Sequence, residues 1–195
     1  RPPRSTLFPY TTLFRSNLGY CLLGRMIEKA TGQSYESHTR SLLAKAGITT
    51  MRIGGGRLAE LLEDEARYYD HPDAGTGTSA WGEADTPGPY CHPLATLDAH
   101  GGWIATPTDL LRFTTLMDGR PKPQDLIRPE SIARMHARPG YAAPADQERN
   151  YYGHGWQFWE NETATFRNWF HSGSLPGTMA IDRKSTRLNS SHRIR

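Results

Sequence analysis

Apolar residues near the beginning of the chain follow a helical period. They recur every four positions, at Leu18, Leu22, Met26 and Ala30. This spacing predicts an amphipathic helix that begins at about Leu18. Gly32 suits the position just after a last helical turn, so we expect the helix to end there. Similar patterns predict two more helices, one over residues 35–45 and an acidic one over residues 58–66.

A fourth helix carries clear signals at both of its ends. Thr106 can cap it, Pro107 suits its first position, and Asp109 can return a hydrogen bond in a capping box. Gly119 is expected to end it. Its predicted buried face consists of Leu110, Phe113, Leu116 and Met117.

The remaining segments contain loops, one short helix and strands. Residues 68–102 lack periodicity and are rich in Gly, Pro, Thr and Asp, which predicts a long excursion over the surface. A short helix is expected over residues 129–135. Aromatic and β-branched runs then predict an antiparallel meander over residues 151–159, 165–170 and 178–181. Helices followed by strands indicate the α+β class.

Length and composition limit the classes of protein to consider. A chain of 195 residues with 36% hydrophobic residues is long enough for one domain with a buried core. No apolar run approaches the roughly 18 residues of a membrane-spanning helix. Two cysteines, Cys21 and Cys91, are too few for a disulfide framework and lack the paired spacing of a zinc site.

Both ends of the chain resemble translated laboratory DNA. The residues Thr6–Ser16, TLFPYTTLFRS, equal the translation of a common short-read sequencing adapter, and Asp182–His192, DRKSTRLNSSH, equal that of its partner. We therefore interpret residues 1–16 and 182–195 as translated adapter, to be set aside in reasoning about the fold. Residues 17–181 then remain as the natural domain segment.

Setting these ends aside reverses the sign of the charge. The whole chain has a net charge of +3, whereas residues 17–181 hold 15 basic and 19 acidic residues, a net charge of −4. The remaining basic residues are scattered and form no stripe along a helix. We therefore expect no nucleic-acid partner.

Four stretches, taken in order, carry a family resemblance. They are SNLGYCLLGRMIEKATGQSYE from Ser16, GGWIATPTDLLRF from Gly101, YGHGWQF from Tyr152 and HSGSLPGTMA from His171. Together they resemble the serine β-lactamase-like and penicillin-binding-protein-like superfamily, which includes class C β-lactamases, D,D-peptidases and related esterases. The resemblance implies an α+β fold of the β-lactamase/transpeptidase type. This chain would hold its helical region and part of its antiparallel sheet, truncated at both ends.

The nucleophile that the resemblance implies is missing from the chain. Members of the superfamily use a serine three residues before a lysine, and a Tyr or Ser two residues before an Asn. No Ser-x-x-Lys is present here, and the tyrosine position falls on Arg15, inside the adapter match. Ser16 is either native or encoded by the adapter. We therefore expect the chain as given to be inactive.

The resemblance assigns roles to five residues. As catalytic residues it implies Asn17, whose amide would bind the substrate and the catalytic lysine, together with His171 and Ser172. As substrate-binding residues it implies Gly173, which would leave room for close approach, and Ser174, whose N–H would stabilise an oxyanion. Two structural alternatives stay open: Asn17 as a helix N-cap, and a simple β-turn after a strand, with Gly173 and the Pro176-Gly177 pair as its turn residues.

These residues lead to a hypothesis about function. The resemblance implies a fragment of a serine hydrolase that acts through an acyl-enzyme on amide, β-lactam or ester substrates. Because His171 stands where many relatives have a permanently charged lysine, we expect ester or peptide-like substrates to be preferred over β-lactams. The expected partner is a small-molecule or peptide-like substrate, with no cofactor and no metal. An exported or periplasmic location is implied by the resemblance alone, and the oligomeric state is left open.

Two other functions are considered. One is a non-catalytic binding fragment, in which a pocket persists without chemistry. The other, less favoured, is a metal enzyme that uses residues of the long loop region, namely His71, Asp73, His92 and His100. None of these histidines has the His-x-x-x-His spacing that places two ligands on one helix face.

Overall fold

The computed structural model describes residues 16–140, 149–161 and 166–187. In these residues it has four α-helices, α1 (Asn17–Thr31), α2 (Tyr35–Lys45), α3 (Pro107–Thr115) and α4 (Pro129–His136). The short strands are β1 (Arg52–Ile53), β2 (Thr76–Gly77), β3 (Thr86–Pro87) and β4 (Trp103–Ile104). The longer sheet contains β5 (Asn150–Tyr152), β6 (Gln157–Glu160), β7 (Phe166–Leu175) and β8 (Thr178–Arg187). Single 3₁₀ turns occupy Leu58–Glu60, Pro72–Ala74, Gly88–Tyr90, Leu94–Thr96 and Asp98–His100.

The first two predicted helices are confirmed in their extent, but the apolar face predicted for the first is exposed, since Leu18, Leu22 and Met26 are 57–69% exposed. Helix α1 begins after Ser16, whose hydroxyl oxygen accepts a hydrogen bond of 2.9 Å from the backbone N–H of Gly19. It ends at Gly32, which has a left-handed φ of 70° and donates its N–H to the carbonyl of Glu28. Helix α2 covers the predicted range and is capped by the Ser34 hydroxyl.

The predicted acidic helix over residues 58–66 is wrong, because the structure has only the 3₁₀ turn Leu58–Glu60 there. The carboxylate of Glu60 accepts hydrogen bonds from the backbone N–H groups of Gly56 and Arg57. That of Glu65 accepts one from Leu62. Such local bonds between side chains and backbone compete with helical hydrogen bonding, and they hold this segment in separate turns.

Helix α3 confirms the predicted cap. The Thr106 hydroxyl oxygen accepts a 3.1 Å hydrogen bond from the Asp109 N–H, as expected of an N-cap. The almost fully buried carboxylate of Asp109 in turn accepts from the hydroxyl groups of Thr50 and Thr106 and from Arg112. These contacts, with the Thr50 hydrogen bond as the largest contribution, lower the pKa of Asp109 below its usual value.

The chain divides into two compact units, each with its own core. The helical unit contains Ser16–Phe113 and Gly173–Ala180, and the sheet unit contains the described residues of 114–172 and 181–187. In the helical unit, α1 packs against α2 and the turn Asp98–His100, while β1 pairs antiparallel with β4 and β2 with β3. Its most buried apolar side chains are Leu43 and Ile48.

The sheet unit is built on strands in the order β5-β6-β7-β8. β5 pairs antiparallel with β6, and β6 with β7, so that Gln157 has Tyr152 and Phe170 as its partners. Phe158 is fully buried and Trp169 nearly so, while the Tyr151 ring stacks on Phe158 at 4.8 Å between centroids. The architecture confirms the predicted α+β class.

The meander differs from its prediction at three places, one of which is β7, expected over residues 165–170 but continuing to Leu175. The predicted strand over residues 151–159 is two strands, β5 and β6, because the glycine-containing segment 153–156 turns the chain between them. The last strand was expected over residues 178–181, but β8 continues to Arg187. Residues 182–187, which match the adapter translation, therefore lie within β8. Lys184 forms an ion pair with the buried carboxylate of Asp118, and the Ser185 hydroxyl donates to Asn168 Oδ1 at 2.6 Å.

The four α-helices of the described ranges are 8 to 15 residues long. Among them, none combines the length and apolar character needed to cross a membrane.

The half-buried carboxyl of Asp182 on β8 gives a prediction about pH. Burial raises its pKa from 3.8 to about 6, so folding favours the protonated form. The contribution to stability is therefore present below pH 4 and is lost as the pH rises through about 6. We expect Asp182→Asn to raise the free energy of unfolding at pH 7.5, on the order of 1–2 kcal/mol after allowance for partial exposure. Urea unfolding at pH 4 should give equal stability for both proteins, and an equal gain at both pH values would contradict the assignment.

Candidate active site

His171 lies on β7 and makes a specific contact with β5, the strand on the other side of β6 in the sheet. Its Nε2 atom is 3.0 Å from the hydroxyl oxygen of Tyr152, which is the last residue of β5. The two rings meet edge to face, with their centroids 6.0 Å apart. A hydroxyl at hydrogen-bond distance fixes the orientation of the imidazole, and because it can donate or accept it pairs with either tautomer of the ring.

The turn after Tyr152 determines where its hydroxyl can reach. The N–H of Gly153 donates to the carbonyl of Trp156 at 2.8 Å, which closes the turn between β5 and β6. A Cβ on Gly153 would lie 3.0 Å from the Phe158 ring and closer still to the carbonyl oxygen of Met135. Trp156 is buried and packs edge to face against Trp169, with centroids 4.5 Å apart. The close packing of the Gly-x-Gly-Trp segment therefore fixes the position of the end of β5.

The next three residues of β7 are exposed. Strand β6 begins at Gln157, the partner of Phe170, so residues 171–175 of β7 extend beyond the end of β6. Ser172, Gly173 and Ser174 are exposed along this extension. The structure places them in a strand, so Gly173 is not a turn residue, whereas Pro176 and Gly177 form the turn after the strand, as the alternative expected for that pair. An extended segment of this kind can present its peptide N–H and C=O groups to a substrate.

Gly173 is not required by the fold at this position. No described atom lies within 4 Å of the position that a Cβ would take, and its φ lies outside the left-handed region. Its pleat places it on the same face of β7 as His171. A substrate that approached along the face of His171 would therefore meet no side chain at Gly173.

Asn17 lies in the helical unit, whereas His171 and Ser172 lie in the sheet unit. It is the exposed first residue of α1. The alternative that Asn17 is the N-cap is wrong, because Ser16 occupies that position and its hydroxyl makes the capping hydrogen bond. Its amide is therefore not used for capping.

A second histidine of the sheet unit has a different environment. His136 packs between Phe158 and Trp169, with its ring centroid 5.2 Å from each of theirs. Burial, with a smaller contribution from the Arg167 charge, lowers the pKa of His136 below its usual value. His136 is thus a half-buried, neutral residue near neutral pH, whereas the rings of His171 and His154 have polar partners, which are the Tyr152 hydroxyl and the Arg134 carbonyl oxygen.

The loop residues considered for a metal site are dispersed. The His71 Nδ1 atom accepts a hydrogen bond from the Asp73 N–H and lies 3.5 Å from its carboxylate, and both side chains are exposed. His92 is exposed, and His100 contacts Cys21. Within the part of the chain that the structure describes, no three His, Cys, Asp or Glu side chains are grouped to hold a metal ion.

Comparison with protein families gives a match over most of the chain. Residues 4–187 match the family model described as Beta-lactamase. The chain belongs to the beta-lactamase family. The matched range extends into both segments that equal adapter translations, so the predicted boundaries at residues 17 and 181 stay a prediction. No curated protein sequence gives a significant match.

Two solved structures share the fold of this family member. A D-stereospecific amidohydrolase from Streptomyces sp. is 19% identical with a TM-score of 0.62, over 89% of this chain and 46% of its own. The octameric penicillin-binding protein homologue from Pyrococcus abyssi is 22% identical with a TM-score of 0.55, over 85% of this chain and 34% of its own. The chain therefore spans less than half the length of either structure.

Tyr152 is a site residue that the sequence does not reveal. It stands in the YGHGWQF stretch that carries part of the resemblance, but the resemblance implies no role for it. Its contact with His171 joins residues 19 positions apart and depends on how β5, β6 and β7 pair. The adjacent Gly-x-Gly-Trp segment indicates a turn, but nothing in the sequence indicates which side chain faces the tyrosine.

Proposed function

We propose that the chain is part of a serine hydrolase of the beta-lactamase family that acts through an acyl-enzyme. The observation that carries the proposal is the His171–Tyr152 pair at the start of an exposed strand segment formed by Ser172, Gly173 and Ser174. Family membership supports the hydrolase class. The nucleophilic serine belongs to a Ser-x-x-Lys motif that these 195 residues do not contain.

The proposed chemistry proceeds in two steps. The serine hydroxyl loses its proton to a neighbouring base and attacks the substrate carbonyl carbon, and the leaving group departs with a proton to give an acyl-enzyme. Water then attacks the same carbon and releases the acid. In both steps the Ser174 N–H would stabilise the negative charge on the carbonyl oxygen.

The other residues would bind and orient the substrate. The Ser172 hydroxyl would donate a hydrogen bond to it, and the absence of a side chain at Gly173 would allow close approach to β7. Tyr152 would hold the His171 ring in a single orientation through the 3.0 Å contact. Asn17 would contribute its amide as a further donor and acceptor, as the resemblance implies.

The proposed substrates are amides, β-lactams or esters. The two similar structures are described as an amidohydrolase and a penicillin-binding protein homologue, which supports a carbonyl substrate with a nitrogen leaving group. A lysine side chain stays positively charged at neutral pH, whereas an imidazole in general does not. A histidine at residue 171 is therefore expected to bind a free carboxylate less strongly than a lysine would. We therefore propose that ester or peptide-like substrates are preferred over β-lactams.

A non-catalytic binding fragment is the second candidate. It is favoured by one observation, the missing Ser-x-x-Lys, since the strand segment 171–174 persists without a nucleophile. The chain as given would then bind a substrate analogue without turning it over.

The function is tested by comparing this chain with the uninterrupted gene product. We expect a fluorescent penicillin to label the longer protein covalently and to leave the present chain unlabelled. The longer protein should hydrolyse an aryl ester with a kcat/KM at least about tenfold above that for a chromogenic cephalosporin, which corresponds to roughly 1.4 kcal/mol of transition-state binding. Covalent labelling of the present chain would contradict the missing nucleophile, and faster cephalosporin hydrolysis would contradict the assigned preference.

We also propose that residues 1–16 and 182–195 derive from sequencing adapters. The support is the agreement of Thr6–Ser16 and Asp182–His192 with two adapter translations. Amplification of source DNA across both junctions should give a different sequence before residue 17 and after residue 181. Uninterrupted natural DNA encoding both ends would overturn this assignment.

A further inference from the structure

Cys21 and His100 form a pair of nucleophile and base in the helical unit. The Cys21 sulfur lies 3.1 Å from the His100 Nδ1 atom, although the two residues are 79 positions apart in the sequence. Both side chains are half-buried and therefore remain accessible to a small reagent. No role proposed for residues 171–174 involves this pair.

Close packing of α1 on the turn Asp98–His100 brings the two groups together. Gly24 is buried at the contact, where a Cβ would lie 2.6 Å from the Cβ of Ala99. Cys21 is three residues before Gly24 and so lies on the same face of the helix. One turn further on, Arg25 forms an ion pair with Asp98. The turn itself is held by the Trp103 Nε1–H, which donates to the carbonyl of Asp98 at 3.0 Å.

The second cysteine has a contrasting environment. Cys91 is buried, and its sulfur lies 3.4 Å from the carbonyl oxygen of Thr86 and 3.5 Å from that of Pro87. A carbonyl oxygen accepts a hydrogen bond but does not take up the proton, so these contacts supply no base to Cys91. An imidazole nitrogen can accept the proton fully, and the thiolate that remains is the reactive form of cysteine.

We propose that Cys21 is a thiol-modification site that reacts with small disulfides, with His100 as the base that takes its proton. With the ring proton on Nε2, the thiol donates to Nδ1 and transfers its proton there. The thiolate attacks one sulfur of the disulfide, a new S–S bond forms, and the original S–S bond breaks. The departing thiolate takes the proton from the imidazolium. One thiol and one disulfide thus give a mixed disulfide and a new thiol, with no other oxidant.

The test measures the reaction of the folded chain with 2,2′-dithiodipyridine. Release of 2-thiopyridone gives the rate, and peptide mass spectrometry assigns each product to Cys21 or Cys91. We expect Cys21 to react at least about tenfold faster than Cys91 at pH 7.5. Comparable rates for the two cysteines in the folded chain would overturn the proposal.

Three variants test whether Cys21 reacts fast because His100 acts as a base or only because its sulfur is accessible. Cys21→Ser should remove the fast phase, and Cys91→Ser should leave it unchanged. His100→Gln keeps a hydrogen-bond acceptor but no base, so we expect the Cys21 rate at pH 7.5 to fall at least about tenfold. An unchanged rate in His100→Gln would overturn the role of His100. A faster reaction would do the same, since it would show that the histidine only shields the sulfur.

Discussion

Replacing Gly173 by Val in the uninterrupted protein is expected to lower kcat/KM for an aryl ester by about 100-fold without loss of thermal stability. The fold does not need a glycine there, because a Cβ would meet no described atom within 4 Å and φ is ordinary. Valine also favours strand conformation. A substrate displaced from β7 by about 1 Å would lose roughly that factor in rate. Steady-state kinetics and the melting temperature together measure both effects.

Gly140 supplies the matched control for this substitution. A Cβ at Gly140 likewise has no described atom within 4 Å, and its φ is also outside the left-handed region. Because Gly140 lies outside β7, Gly140→Val should change neither kcat/KM nor the melting temperature. An unchanged kcat/KM in Gly173→Val would remove the proposed role of that residue in substrate approach.

Replacing Phe158 by Ala is expected to cost about 3–5 kcal/mol in the free energy of unfolding, the range typical of a buried aromatic. The Phe158 side chain is fully buried and stacks on Tyr151, while the guanidinium of Arg167 lies 5.4 Å from its ring centroid. A loss of this size is a large part of the stability of a typical domain. Urea unfolding followed by circular dichroism measures it.

The adjacent residue of β6 provides the comparison. Trp159 points to the opposite face and is 40% exposed, although it is the larger side chain. Trp159→Ala should therefore cost only about 1 kcal/mol. Equal losses for both substitutions would contradict the assignment of the core to the Phe158 face of the sheet.

The helices could be predicted where their ends are encoded locally. α1 was predicted from its apolar period and from Gly32 as its end, whereas its cap is Ser16 and not Asn17, one residue away from the expected position. The segment 58–66 has a helical composition, but its glutamate side chains bond to neighbouring N–H groups instead. That competition depends on the turn formed by the preceding glycines, which the apolar pattern does not report.

In the candidate site, too, the residues that are close in sequence could be predicted, whereas the contacts between residues distant in sequence could not. His171, Ser172, Gly173 and Ser174 are consecutive, so a motif is sufficient to propose them together. The partner of His171 depends on strand pairing across β6, and the partner of Cys21 depends on the packing of a turn 79 residues away. Neither contact has a signature in the spacing of residue types, which is why both were found only in three dimensions.

Strand β8 lies at one edge of the sheet in the described part of the chain, and its ten residues are long enough to template further strands. Its centre carries three consecutive ionisable residues, Asp182, Arg183 and Lys184. In a fibril made of identical in-register copies, each of these side chains would stack on its own counterpart roughly every 4.8 Å. Repulsion between like charges at that spacing opposes fibril growth along this strand. Residues 182–184, which fall in the segment that matches the adapter translation, would therefore also protect this edge of the sheet from amyloid formation.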